Sequence, residues 1–179
     1  MGVIYFTRHG QTIWNVEGKI CGATDIALTD LGHAQAKELG KRIATEKIAI
    51  DEILYSPLQR ARDTAIHISE ETGIPARMEQ RLKEQNFGRF ESTPRHGEEF
   101  KEAKTHFIYD FDGGETMLHL CQRIYNLLDD LKKESEEKTY LLVAHNGIAR
   151  VINSYFYNME NQEFANFGMK NCELKKYEF

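Results

Sequence analysis

The sequence is 179 residues long, 41% hydrophobic and 28% charged, a length and balance that suit a folded domain with a buried core and exclude disordered or fibrous chains. Twenty-three Lys and Arg against 28 Asp and Glu leave a formal charge of -5, so no overall field favours nucleic acid or an anionic membrane, and any anion must be caught locally. No run approaches the ~18 to 20 apolar residues of a membrane-spanning helix, and Met1-Gly2-Val3-Ile4-Tyr5-Phe6 lacks the basic region of a secretory signal, so no membrane partner and a cytoplasmic location are expected.

In chain order, Val3 to Thr7 is an apolar, β-branched and aromatic run that breaks at Arg8-His9-Gly10, predicting a buried strand that ends in a polar turn. Thr29 caps a predicted helix to about Glu46, with Leu31, Ala36, Leu39 and Ile43 on one face. A short strand follows at Glu52 to Tyr55. Ser56-Pro57 reads as a cap and first-turn proline, opening a helix to about Glu71 that Gly73 closes. Ala76 to Glu79 suits a short third strand, and Leu82 to Gly114 reads as irregular. A long helix from about Glu115 to Glu137 carries Met117, Leu120, Cys121, Ile124, Leu128 and Leu131 at helical spacing. Thr139 to Ala144 is a second strongly apolar strand, followed by His145-Asn146-Gly147 and a helix bearing Ile148, Val151, Ile152 and Tyr155. Cys172 to Tyr177 is a weak final strand. The alternation predicts an α/β three-layer sandwich, a mostly parallel sheet flanked by helices, with its ligand site beyond the strands' carboxyl ends. The chain reads as one domain, 1–179, with a short lid-like insertion at about 88–112.

Two strands share one design: each runs into a histidine and a glycine, at Arg8-His9-Gly10 and at His145-Asn146-Gly147. If these strands are neighbours in a parallel sheet, both imidazoles converge on one pocket with Arg8 and Arg60. Two histidines and two guanidiniums make an anion site, because arginine holds phosphate in a bidentate fork and a helix amino terminus adds N–H donors. A metal centre completed by Glu84 or Asp25 is the rival reading. No HExxH or similar ligand spacing exists and Arg8 would repel a dication, so neither metal nor cofactor is expected. Arg95-His96-Gly97 repeats the tripeptide with no strand before it and reads as a decoy. Cys21, Cys121 and Cys172 are too few and too far apart for a disulfide framework or a zinc knuckle.

The stretch Thr7-Arg8-His9-Gly10-Gln11-Thr12-Ile13-Trp14-Asn15 resembles the signature of the histidine phosphatase superfamily, in the branch that includes cofactor-dependent phosphoglycerate mutase and related phosphatases. The likeness continues through Leu28-Thr29-Asp30-Leu31-Gly32, Ser56 to Ala65, Leu82 to Gly88, Gly113 to Thr116 and Val143 to Gly147. It implies a phosphoglycerate mutase-like fold, with His9 as the nucleophile that becomes phosphohistidine. By the same carry-over Arg8, Arg60 and His145 hold the phosphoryl group and Glu84 donates the proton. Gly10, Gln11, Thr12, Asn15, Cys21, Gly22 and Asn146 are the implied substrate contacts. Two departures stand out: similar sequences place glycine directly after the second histidine, and mutases carry a longer insertion between the acid and that histidine.

The chemistry asks for a neutral His9, a protonated His145 beside the arginines, and a Glu84 whose pKa is raised by burial near Phe87. Asn15 also suits a turn that bonds its own backbone, and Cys21 a small apolar filler, although nearby cations would favour its thiolate. Six aromatics between Phe87 and Phe111 form either a substrate-facing lid or anchors to the core. Five acids there, Glu91, Glu98, Glu99, Glu102 and Asp110, outnumber Arg89, Arg95, Lys101 and Lys104, which argues against a polyanionic substrate. The expected activity is therefore metal-independent hydrolysis of a small phosphomonoester, with phosphoglycerate mutase as the alternative and a non-catalytic phospho-ligand module disfavoured.

Overall fold

The computed structural model describes residues 2–179. Five strands form one mixed sheet in the order β3-β2-β4-β1-β5, where β1 is Val3–Arg8, β2 Glu52–Tyr55, β3 Ala76–Met78, β4 Tyr140–Ala144 and β5 Leu174–Glu178. Only β5 runs antiparallel to its neighbour, pairing Val3 with Glu178 and Thr7 with Leu174. The helices are α1 (Ile13–Val16), α2 (Asp30–Thr45), α3 (Gln59–Thr72), α4 (Glu98–Ala103), α5 (Met117–Glu134), α6 (Asn146–Phe156) and α7 (Asn161–Asn166).

The strand at the centre explains the layering. All five residues of β4 are buried, and their alternation sends Tyr140, Leu142 and Ala144 into one apolar cluster with α5 and α6. Leu141 and Val143 point the other way, into a cluster with Leu39 and Ile43 of α2 and Ala61, Ala65 and Ile68 of α3. A strand buried on both faces reads as a continuous apolar run, which is why β1 and β4 stand out in the sequence. Helices on both faces of the sheet give the expected α/β three-layer arrangement.

Most predicted boundaries agree within two or three residues, and the start of α3 is displaced by two for an identifiable reason. Ser56 and Pro57 precede the helix, whose amino-terminal cap is Leu58 with no side-chain cap. The Ser56 hydroxyl instead accepts from the Leu58 N–H (3.3 Å) and meets His145 Nε2 (2.6 Å), so tertiary contact has taken over the capping group. Gly73 closes α3 in the left-handed region, φ 74°. The stretch from Leu82 to Gly114 is not wholly irregular, since it contains a 3-10 turn at Gly88–Phe90 and helix α4. Phe87, Phe90, Phe100 and Phe111 pack with Ile20 and Ala103 into a third apolar cluster, so most of the rings do anchor this segment.

Candidate active site

Strands β1 and β4 are parallel neighbours, with Arg8 in register with Ala144, and this places the two histidines side by side. The His9 main-chain N–H donates to the Ala144 carbonyl (3.0 Å), and the two imidazole centroids are 5.2 Å apart. His9 Nδ1 lies 2.7 Å from the Gly10 carbonyl, so Nδ1 carries the proton and Nε2 keeps its lone pair. Burial, and then the charge of Arg60, holds both His9 and His145 well below the usual imidazole range. His9 is thus neutral as anticipated. His145 is neutral too, contrary to the expectation of a protonated partner, because burial and the surrounding guanidiniums all disfavour its cation.

Arg8 donates from Nη1 to the Met169 carbonyl (2.8 Å), and burial brings its pKa to about 10, still charged near neutrality. Arg60 is fully buried; its fork donates to the carbonyls of Gly22 (2.7 Å) and Thr24 (2.8 Å). Glu91 reaches the same loop from the opposite side, accepting the N–H groups of Gly22 and Ala23 and the Thr24 hydroxyl. Arg60 Nε, Arg8 Nε and His145 Nδ1 are buried without a hydrogen-bond partner. Such orphaned donors and acceptors are costly in a core unless a ligand meets them.

Glu84 is 5% exposed, and its two oxygens accept only main-chain donors, the N–H of Gln85 (2.9 Å) and the N–H of Gly147 (2.9 Å). Burial raises its pKa against the opposing pull of those two bonds, Arg150 and Arg60. The glycine after Asn146 has a local reason: a Cβ on residue 147 would collide with the Glu84 carboxylate. The departure in the order of Asn and Gly therefore sets the seat of the carboxyl group.

A cavity of about 230 Å³ opens on this centre, with Arg8, His9, Asn15, Cys21, Glu84 and Asn146 among its walls. Arg60 and His145 lie behind that wall, fully buried. Gly10, Gln11, Thr12 and Gly22 are absent from the lining and build the frame instead. The Gly10 N–H donates to Thr64 Oγ1 (3.0 Å), Gln11 Oε1 accepts from the Thr29 hydroxyl (3.0 Å), and Thr12 caps α1 in a reciprocal pair with Asn15. Asn15 is thus both wall and turn residue. Asn146 Oδ1 accepts the Met169 N–H (2.8 Å). The Cys21 thiol is pushed up to about 11 by burial, so it is an un-ionised filler and not a thiolate.

Further wall residues went unrecognised as site residues in the sequence, among them Arg95, His96, Lys101, Lys104 and Arg150. Arg95 and His96 of the Arg95-His96-Gly97 tripeptide, read as a decoy, nevertheless line the cavity, because the segment folds back over it. Counting charges along the segment also misled. Glu98, Glu99, Glu102 and Asp110 are exposed and absent from the lining, whereas Arg95, Lys101 and Lys104 reach the cavity. Arg150 had one usable signal, a lone guanidinium inside the apolar run Ile148-Ala149-Arg150-Val151-Ile152, since charged groups in buried helices are rarely idle. Among the described residues no group of three or more His, Cys, Asp or Glu is arranged to hold a metal ion, and no helix is long and apolar enough to cross a membrane.

The geometry has close counterparts in known proteins. The family model for the histidine phosphatase superfamily (branch 1) matches residues 4–179. A protein of Erwinia tasmaniensis named probable phosphoglycerate mutase GpmB is 28% identical, over 97% of this chain and 83% of its own length. The solved structure of a phosphoserine phosphatase mutant from Entamoeba histolytica, in complex with phosphoserine, is 30% identical with a TM-score of 0.82, covering 100% of this chain and 91% of that one. A mycobacterial glucosyl-3-phosphoglycerate phosphatase shares the fold, with a TM-score of 0.85 at 24% identity over 98% of this chain and 89% of that one. With a match that runs from the first strand to the last residue, this chain belongs to branch 1 of the histidine phosphatase superfamily.

Proposed function

We propose that the chain is a metal-independent phosphomonoester hydrolase that works on a small phosphorylated metabolite through a phosphohistidine at His9. The observation that carries this reading is the pairing of two groups at one cavity: an imidazole held neutral with Nδ1 engaged and Nε2 free, and a buried carboxyl held towards its protonated form. Nε2 of His9 attacks phosphorus in line, the P–O ester bond breaks, and the leaving alkoxide takes the Glu84 proton. Arg8 from the wall and Arg60 and His145 from behind meet the charge on the equatorial oxygens. Water then attacks the phosphohistidine, Glu84 recovers a proton from it, and the P–N bond breaks to release inorganic phosphate. Residues 1–179 act as one domain in this reading, with 88–112 as the cover of the cavity.

The isomerase reading is supported by the name of the Erwinia tasmaniensis relative and by the cations on the cavity wall that the sequence count discounted. The kinetic partition separates the two. Unprimed enzyme supplied with 3-phosphoglycerate should release inorganic phosphate and form little 2-phosphoglycerate. Primed enzyme that interconverts those isomers much faster than it liberates phosphate would replace hydrolase by mutase.

A further inference from the structure

The last strand brings one more segment to the catalytic centre. Strand β5 runs antiparallel to β1 with Leu174 in register with Thr7, so the residues just before it lie at the carboxyl end of β1, where the nucleophile sits. Met169 to Cys172 reach from there to the ends of both histidine-bearing strands. The Met169 carbonyl accepts from Arg8 Nη1, the Met169 N–H donates to Asn146 Oδ1, and the Cys172 N–H donates to the Arg8 carbonyl (2.9 Å). Between them, Asn171 donates from its side-chain Nδ2 to two acceptors, the His9 carbonyl (2.9 Å) and Asn15 Oδ1 (3.2 Å).

Main-chain groups fix the orientation of both amides. A carbonyl only accepts, so the part of Asn171 that faces the His9 carbonyl is its NH₂ group, whose two hydrogens serve both partners. A main-chain N–H only donates, so the atom of Asn15 that faces the Thr12 N–H (3.1 Å) is Oδ1. That oxygen therefore has two donors, and the NH₂ of Asn15 is left over. Among the described residues none accepts from Asn15 Nδ2, and Asn15 stands in the cavity wall. The nucleophile is tied down by the same amide. His9 has its N–H on the Ala144 carbonyl, its ring Nδ1 on the Gly10 carbonyl and its own carbonyl on Asn171. Without Asn171 the Asn15 side chain keeps a single bond, from Thr12, about which its amide can swing.

We propose that Asn171 is a positioning residue for phosphoryl transfer, which locks the Asn15 amide with its NH₂ group turned into the cavity while its second hydrogen steadies the His9 carbonyl. Asn171 is absent from the cavity wall, so it touches neither substrate nor phosphorus and acts mainly through Asn15. This rests on the phosphatase reading above and adds to it the group that aligns one of its donors. In-line transfer is sensitive to such alignment, because a misplacement of about 1 Å can cost about 10²-fold, and a donor aimed at developing charge is worth most when it needs no reorganisation. An amide is the side chain this place requires. A carboxylate of the same size would set its oxygens against the His9 carbonyl and Asn15 Oδ1, two groups that only accept.

The test is a double-mutant cycle read both by turnover and by calorimetric binding of vanadate, which resembles the phosphoryl transition state. Asn171→Ala should lower kcat for nitrophenyl phosphate by about 10- to 100-fold with KM changed by less than about 3-fold, and should weaken vanadate binding by a factor similar to the loss in kcat. Asn171→Asp fills the same space and should lose at least as much. With Asn15→Ala already present, adding Asn171→Ala should cost less than about 3-fold, the remainder owed to the His9 carbonyl. Melting temperatures identify any variant that fails to fold, and if the aspartate variant does, the alanine cycle carries the test. If Asn171→Ala lowers the melting temperature but leaves kcat and vanadate affinity intact, or if Asn171→Asp keeps wild-type kinetics, the side chain only fills space and the proposal is wrong. It is equally wrong if Asn171→Ala costs the same factor with and without the Asn15 side chain, because the two residues then act independently. Failure of wild type to release phosphate from any ester strikes the phosphatase reading instead, and the vanadate affinities across the cycle still decide the role of Asn171.

Discussion

Replacing Glu84 by Gln tests the acid role with two measurements of different origin. The carboxyl accepts one N–H at each oxygen, from Gln85 and from Gly147, both at 2.9 Å. A carboxamide keeps the size but turns one of those oxygens into an NH₂ group that faces an N–H donor. One bond is lost and one buried donor is orphaned, which should cost about 1–3 kcal/mol of folding stability. The kinetic effect should be larger and selective. A positioned general acid contributes about 10²- to 10⁴-fold, or about 3–5 kcal/mol of barrier, when the leaving alkoxide needs a proton. Nitrophenolate needs almost none, so the variant should lose far more activity towards glycerol 3-phosphate than towards nitrophenyl phosphate. Initial rates of phosphate release and urea denaturation give both numbers. The protonated form of Glu84 is the active one, and burial raises its pKa, so kcat should fall as pH rises through that raised value and the Gln variant should lose this alkaline limb. Equal losses with both substrates, or an unchanged alkaline limb, would refute the acid role.

Shorter predictions concern the same site. His9→Ala should abolish turnover and the acid-labile, base-stable label that brief exposure to ³²P-substrate leaves on wild type; label retained by the variant would remove His9 as the nucleophile. The free-enzyme acidic limb should lie well below the ordinary imidazole pKa, since His9 is held neutral there, and a limb at pH 6.5 in kcat/KM would contradict this. Stability should drop on acidification for a related reason. With folded pKa values depressed by burial, the unfolded chain takes up the two histidine protons first, so stability falls as pH drops through the ordinary imidazole pKa, and the oppositely acting Glu84 returns part of that loss; a urea midpoint indifferent to pH in this window would count against two neutral histidines. Finally, Gly147→Ala pushes a methyl group into the Glu84 carboxyl and should lower kcat for alkyl esters at least about 10-fold, whereas EDTA should leave wild-type rates unchanged and vanadate should inhibit. Full activity in the alanine variant, or EDTA inactivation reversed by added metal, would each be a clear contradiction.

The legible parts of this chain are those where local pattern and tertiary environment agree. Strand β4 is apolar throughout because both its faces are buried, β1 is apolar from Val3 to Phe6, and the histidines that follow them announce themselves by position alone. Helices α1, α4 and α7 were missed because four to six residues are too few for a helical period to show. Ser56 was misassigned because propensity sees a helix cap, whereas its hydroxyl is committed to His145 from another strand. A protonated His145 is expected from the sequence because a phosphoryl group asks for positive charge beside Arg8 and Arg60, whereas only the fold shows that the imidazole is fully enclosed.

The charge reading of the lid failed for a more general reason. Residues adjacent in sequence share no common direction on a short helix and its flanks, so a sum over Glu91 to Asp110 mixes groups that do different things. Glu99 pairs with Arg89 at the surface (2.5 Å), Glu98 faces Lys101, and Glu91 spends its carboxylate on the N–H groups of Gly22, Ala23 and Phe87. That last contact joins the lid to the loop whose carbonyls hold Arg60, so the group behind the phosphoryl centre and the segment above it are braced through the same three residues, Gly22 to Thr24. Glu91 therefore fastens the cover and Arg95, Lys101 and Lys104 reach the cavity while Arg89 stays in surface pairs, so net charge along the segment is uninformative about the field inside the cavity. What decides that field is which side chains the aromatic cluster of Phe87, Phe90, Phe100 and Phe111 turns towards the histidines.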